Sequence, residues 1–142
     1  MIFEGMSRDQ LREMYRAAWR RFKAQQTLSP LDKQIVAVIS EHPEYRVIVE
    51  SAATDLANYS PRGGQLNPWL HMGLHLAIRE QVATDRPAGI AAVHARLAGR
   101  TGGSHEAEHR MLAVLAEALQ EAQRAAKPPD DNAYLERLRI LA

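Results

Sequence analysis

Cysteine is absent from this chain of 142 residues, and its absence excludes several kinds of site. Without thiolates there is no disulfide framework, no cysteine nucleophile, no cysteine zinc finger and no thiolate-bound iron–sulfur cluster. Long apolar runs are also missing, since no stretch approaches the ~20 residues that cross a bilayer. The N-terminal residues lack a basic region followed by a long apolar run, so they do not resemble a secretory signal. We therefore expect a cytoplasmic protein with no membrane association.

The chain also lacks an excess of charge of one sign. Its formal net charge is +1, which gives no simple reason to expect nucleic-acid binding through bulk charge. With 46% hydrophobic and 25% charged residues, the composition is that of an ordinary soluble globular protein. The length is typical of one domain, and we predict a single domain spanning residues 1–142.

Apolar residues repeat at helical spacing along nearly the whole chain, and no segment has the alternation of a β-strand. Ser7 and Gln10 form a capping box before an apolar stripe that runs to about Gln25. Further helices are predicted to begin near Ser29, Glu44, Asn67, Asp85 and Ser104, with a short closing helix after Asp131. Residues 58–66 are rich in Pro and Gly and are predicted to form a loop. The pattern predicts an all-α, single-domain bundle of about six helices.

The most informative motif is a pair of histidines at four-residue spacing, His71 and His75. This spacing places both imidazoles on one side of a helix, one turn apart, where they can share a metal ion. Ile78 and Val82 continue the same stripe, so both histidines are expected to face the core. Glu80 lies nearly opposite His71 on the helix and is left out of the site.

A second group of ligand-type residues occupies the start of a later helix. His105, Glu108 and His109 lie at positions i, i+3 and i+4, continuous with an apolar stripe. Their order resembles the inverted zinc-protease motif, in which two histidines bind metal and the glutamate is the base. Glu106 and His109 also match the Glu-x-x-His motif of di-iron proteins, but Glu106 lies off the apolar stripe. Glu108 is therefore the better ligand candidate.

Two helices that each present an inward histidine pair favour one shared metal site, because burying imidazoles and a carboxylate without a partner is costly. The predicted ligands are His71, His75, His105, Glu108 and His109. The absence of thiolates favours iron, zinc or manganese over a soft metal. Glu108 is then either a ligand or a general base, so hydrolytic and redox chemistry both remain open. For the pairs to meet, the N-terminal ends of their helices must lie at the same level.

Other polar residues on apolar faces carry weaker signals. His42 faces inward at the end of its helix and is either a ligand or a residue that hydrogen-bonds to one. His94 is interpreted as a hydrogen-bonded core residue. Arginines recur every four residues along the first helix and could bind phosphates, but we interpret them as a solvated basic flank. They are Arg8, Arg12, Arg16 and Arg20.

Four stretches of the chain together resemble a known bacterial family. They are residues 42–45 (HPEY), 67–81 (NPWLHMGLHLAIREQ), 85–90 (DRPAGI) and 105–109 (HEAEH). The chain is similar over nearly its whole length to the short proteins of domain-of-unknown-function family eighteen-forty-one. The family's pattern often has another histidine after the Glu-Tyr pair, where this chain has Arg46. The resemblance implies a small helical bacterial protein without an established activity, and it supplies no substrate.

Two functional hypotheses follow. The first is a metal-binding helical bundle with an inward His/Glu site, whether or not it is an enzyme. The second is a non-enzymatic interaction protein whose histidines are structural. The partner is an unidentified small molecule or protein in either case, and the oligomeric state is not predicted. Metal analysis of untagged protein separates the two hypotheses most directly.

Overall fold

A computed structural model of the chain describes residues 7–50 and 68–142, which form seven α-helices and no β-strand. The helices are α1 (Arg8–Lys23), α2 (Pro30–Ser40), α3 (Pro43–Glu50), α4 (Pro68–Thr84), α5 (Ile90–Thr101), α6 (Ser104–Ala125) and α7 (Asp131–Leu141). The predicted all-α fold is confirmed, with seven helices instead of about six. The predicted loop at 58–66 lies outside the described residues.

The chain divides into two compact units, residues 1–76 and 77–142, and the boundary falls within α4. The single-domain organisation stays a prediction. In the described part of the chain, no helix combines the length and apolar character needed to span a membrane.

The first unit begins with two capping boxes, one for each of its first two helices. The Ser7 hydroxyl accepts the Gln10 amide while the Gln10 side chain accepts the Ser7 amide, as predicted. Ser29 and Asp32 repeat this arrangement before α2, whose first residue is Pro30. The apolar faces of α1, α2, α3 and the start of α4 share one core. Its largest buried side chains include Tyr15, Trp19, Ile35, Ile39, Trp69, Met72 and Leu76.

The link between α2 and α3 determines where His42 lies. Pro43 begins α3, so the two helices are separate although only Glu41 and His42 lie between them. The His42 amide donates to the carbonyl of Ile39, and the His42 carbonyl accepts the amide of Tyr45. These turn hydrogen bonds hold the His42 backbone in the link, and its side chain is buried, with 3% exposed.

The arginines of α1 do not all lie on the solvated flank that the sequence analysis predicted. Arg20 is exposed and pairs with Glu13 at 2.6 Å, as expected of a solvated flank. Arg12, in contrast, is buried, with only 7% of its surface exposed, and Arg16 is half-buried. The prediction of a solvated flank is therefore wrong at Arg12, because this arginine packs against the ring of Trp69 from α4.

The second unit consists of the end of α4 with α5, α6 and α7, and the last three helices pack pairwise. Two helix starts differ from prediction. Helix α5 begins at Ile90 and not at Asp85, and the Asp85 side chain, five residues before the helix, accepts the amides of Gly89 and of Ala91 in its first turn. Ser104 does not cap α6, since its hydroxyl instead pairs with Nε2 of His94 at 3.1 Å. This contact confirms that His94 is hydrogen-bonded, but its side chain is half-buried, so the prediction that it lies in the core is wrong.

Candidate metal-binding site

His71 and His75 lie on one face of α4, as their spacing predicts. Their rings stack with centroids 4.9 Å apart and an interplanar angle of 8°. The two Nε2 atoms approach to 3.1 Å, and His75 is fully buried while His71 is half-buried. Because each neutral imidazole nitrogen is either a donor or a lone-pair acceptor, facing lone pairs at this distance need a proton or a cation between them.

His42 joins this pair from the link between α2 and α3. Its ring centroid lies 4.7 Å from that of His75 and 5.2 Å from that of His71. Nδ1 of His42 lies 2.7 Å from the carbonyl oxygen of Val38, which can only accept, so Nδ1 carries the proton. The neutral ring then has its lone pair on Nε2, which is the form that binds a metal ion.

The three histidines form a group of candidate ligands within the first unit. One ring nitrogen of each lies within 4.8 Å of those of the other two. Nitrogen ligands at about 2.0–2.1 Å from a tetrahedral zinc ion lie roughly 3.4 Å from one another, so small side-chain adjustments bring all three to bonding distance. Three imidazoles are also the ligand set of several catalytic zinc sites. His42 is thus a candidate ligand, the option that the sequence left open.

Tyr45 orients this group, and the sequence analysis did not assign it a role. Its hydroxyl lies 2.9 Å from Nδ1 of His71, and its ring stacks on that of His42 with centroids 5.0 Å apart and 10° between the planes. When Nδ1–H of His71 donates to the Tyr45 oxygen, Nε2 of His71 presents its lone pair toward His75. The signal available in the sequence was the spacing of His42 and Tyr45, three residues apart across the start of a helix.

The second predicted group lies in the first turns of α6, within the second unit. The rings of His105 and His109 meet edge to face, with centroids 4.4 Å apart and an interplanar angle of 68°. Both histidines are half-buried. Their shared helix face agrees with the sequence pattern. Coordination of one ion by both histidine pairs stays a prediction.

Glu108 is buried and has a cationic partner in the same unit. Both of its carboxylate oxygens accept a hydrogen bond from Nε of Arg79, each at 3.1 Å. The side chains are 5% and 19% exposed for Glu108 and Arg79, so water screens this ion pair weakly. Glu106 is exposed and approaches Arg110 at 3.7 Å, which agrees with its placement off the apolar stripe.

Comparison with known proteins identifies the family. No curated protein and no solved structure is significantly similar to the chain. The sequence profile of the family described as Domain of unknown function (DUF1841) matches residues 7–140, which include every histidine discussed above. The resemblance seen in the sequence is thereby confirmed, and the chain belongs to the DUF1841 family, whose function is not established.

Proposed function

We propose that this protein binds a divalent transition-metal ion through His42, His71 and His75. The observation that carries the proposal is the approach of one nitrogen from each ring within 4.8 Å. Two of these rings have hydrogen-bond partners on Nδ1, namely the Val38 carbonyl and the Tyr45 hydroxyl. Such partners fix the tautomer and the ring orientation in metal sites, so they support ligation through Nε2.

Among the iron, zinc and manganese that the sequence predicts, the all-histidine donor set favours zinc and iron, since manganese prefers oxygen ligands. Imidazole nitrogen suits zinc and iron, and the chain has no cysteine to select a soft metal ion. Three histidines satisfy only part of a tetrahedral or octahedral coordination sphere. An ion bound here would keep positions for a further ligand, for water or for substrate, as in hydrolytic and redox metal enzymes.

We propose His109 as the fourth ligand. Helix α4 is continuous and carries His71, His75 and Arg79 at four-residue steps, so Arg79 lies one turn, about 6 Å, beyond His75. Arg79 binds Glu108, and His109 is the next residue of α6. This proposal keeps the site shared by the two histidine pairs that the sequence analysis predicts.

The spacing of Glu108 predicts a metal ligand or a general base. In this proposal Glu108 is instead a positioning residue. Both of its oxygens already accept from Arg79, so the carboxylate secures the start of α6 to α4. His105 contacts His109 edge to face and would support the orientation of that ring. The proposed ligands are therefore His42, His71, His75 and His109, with Glu108 as a positioning residue.

Elemental analysis of untagged protein, purified anaerobically, tests the proposal. We expect about one iron, zinc or manganese ion per chain, and its loss in His42→Ala and His75→Ala variants. The matched control is His94→Ala, because His94 is a half-buried histidine that binds Ser104 and not the proposed ligands. Protein that stays free of metal after anaerobic purification and addition of each metal would contradict the proposal. It would instead support the interaction-protein hypothesis.

A further inference from the structure

Helix α1 contains a buried positive charge that no carboxylate neutralises within residues 7–50 and 68–142. Arg12 is 7% exposed, and its Nε is buried without a hydrogen-bond partner in that part of the chain. Arg16, one turn later and half-buried, has a buried Nε in the same condition. Buried polar and charged groups are costly unless they are paired, so two adjacent guanidinium groups, each with a buried and unsatisfied Nε, indicate a missing anion.

Trp69 brings the two guanidinium groups together. The Cζ atom of Arg12 lies 5.8 Å, and that of Arg16 5.4 Å, from the centroid of the Trp69 ring. The indole is 4% exposed and stacks on Tyr15, with centroids 5.7 Å apart and 10° between the planes. A cation over an indole face is attracted to it, but the neutral indole leaves the two positive charges without a balancing negative charge.

Asp9, three residues before Arg12, is exposed, and three other acidic side chains of these helices have partners of their own. Glu13 pairs with Arg20, Asp32 pairs with Arg21 and caps α2, and Glu50 accepts from Trp19 and pairs with Lys23. These three carboxylates therefore pair with other groups of the first unit. The N–H donors of Arg12 and Arg16 remain for an external acceptor.

We propose that Arg12 and Arg16 bind the phosphate group of a small molecule, with Trp69 as a positioning residue. Guanidinium groups match phosphate oxygens with charge-assisted, paired hydrogen bonds, and a phosphate dianion balances two positive charges. The site is distinct from the proposed metal site. Trp69 and His71 differ by two residues, or about 200° around α4, so they lie on opposite faces of that helix.

Titration with inorganic phosphate tests the proposal, by calorimetry and by melting temperature, against chloride at equal ionic strength. We expect one saturable site in the full-length protein. The Arg12→Gln and Arg16→Gln variants should bind phosphate about 10–100-fold more weakly, the range expected for one lost charged hydrogen bond. Arg20→Gln, on the same helix, should bind as the wild type does. Equal phosphate binding by all four proteins would overturn the proposal.

A second measurement separates a binding site from a structural role, and it uses Arg12→Met in phosphate-free buffer. Removing an unpaired buried charge should raise the melting temperature and abolish the increase that phosphate produces. A lower melting temperature in Arg12→Met, with unchanged phosphate binding by Arg16→Gln, would show a structural role and overturn the proposal. Because Arg16 is half-buried, its variant keeps the test valid if an Arg12 variant does not fold.

Two further arms identify the source of the phosphate group. In the first, the phosphate titration is repeated with EDTA, because a metal ion bound by histidines can also bind phosphate. Phosphate binding that persists after metal removal supports the arginine site. A short single-stranded RNA supplies phosphodiesters in place of a small phosphate. Salt-sensitive RNA binding that exceeds phosphate binding and is lost in Arg12→Gln would assign the surface to nucleic acid and overturn the small-molecule proposal.

Discussion

Two histidine pairs with the same spacing have different surroundings in this protein. His71 and His75 are stacked, with their Nε2 atoms 3.1 Å apart, whereas His105 and His109 meet edge to face. The first pair contacts His42 and Tyr45 from another part of its unit. Four-residue spacing therefore fixes only the helix face of a pair. The nitrogen that a ring presents to a ligand depends on neighbours that are distant in sequence.

The largest expected effect is the contrast between removing His75 from the first pair and removing His105 from the second. His75→Ala should abolish stoichiometric metal, and the metal-loaded protein should lose about 4 kcal/mol of stability if metal is 1,000-fold above its Kd. His105→Ala should retain metal, because His105 is outside the proposed ligand set. Metal analysis and thermal unfolding with and without metal measure both effects. Loss of metal in both variants would show that His105 is also a ligand, as its spacing predicts.

The ion pair beside the second histidine pair provides the next test. Glu108→Gln should destabilise the protein by about 3 kcal/mol in urea denaturation, because it removes a buried carboxylate that neutralises the half-buried Arg79. The control is Glu121→Gln, which breaks the more exposed pair with Arg137 and should cost at most about 1 kcal/mol. Metal stoichiometry should be unchanged in Glu108→Gln. Loss of metal at retained fold would instead make Glu108 a ligand.

Tyr45 is the residue that most distinguishes the surroundings of the first pair. Tyr45→Phe removes the hydroxyl at 2.9 Å from Nδ1 of His71 and should weaken metal affinity about 10–100-fold. Tyr134→Phe is the matched control, since Tyr134 is also a buried tyrosine and its hydroxyl donates to Gln81 in the second unit. Competition with a chelator measures both affinities. Equal affinities would mean that Tyr45 only fills space.

The fold was predictable where local sequence determines it. The capping box at Ser7, the Ser29-Pro30 helix start and the apolar periodicity each depend on residues within one or two turns, and the structure confirms them. Ser104 failed as a cap because its hydroxyl binds His94, ten residues earlier in the chain. A cap inferred from residue type alone does not account for a hydrogen-bond partner that the tertiary structure brings close.

The candidate site was only partly predictable, because its decisive contacts are long-range. Periodicity placed His71 and His75 on one inward face. It could not show that the α2–α3 link brings His42 to them, or that Arg79 engages Glu108 from 29 residues away. The prediction of a solvated arginine flank was wrong at Arg12 for the same reason. Four-residue spacing indicated a continuous solvated flank, and it could not show that Trp69 of α4 packs against Arg12 and Arg16.

The smallest expected effect concerns the contact that secures α3, the helix that carries Tyr45. Glu50 accepts from the indole Nε1 of Trp19 at 3.0 Å, and this hydrogen bond, with one from Lys23, lowers the pKa of the Glu50 carboxyl. A lowered pKa stabilises the folded protein above the carboxyl's ordinary pKa of 4.5, and the stabilisation is lost as the pH falls through the lowered value. The melting temperature of the wild type should therefore exceed that of Glu50→Gln near neutral pH, and the gap should close as the pH falls below 4.5 through the lowered pKa. Glu44→Gln, an exposed position on the same helix, measures the effect of losing any surface charge. A gap for Glu50→Gln that stays constant down to the lowest pH would show that the carboxylate contributes nothing specific there.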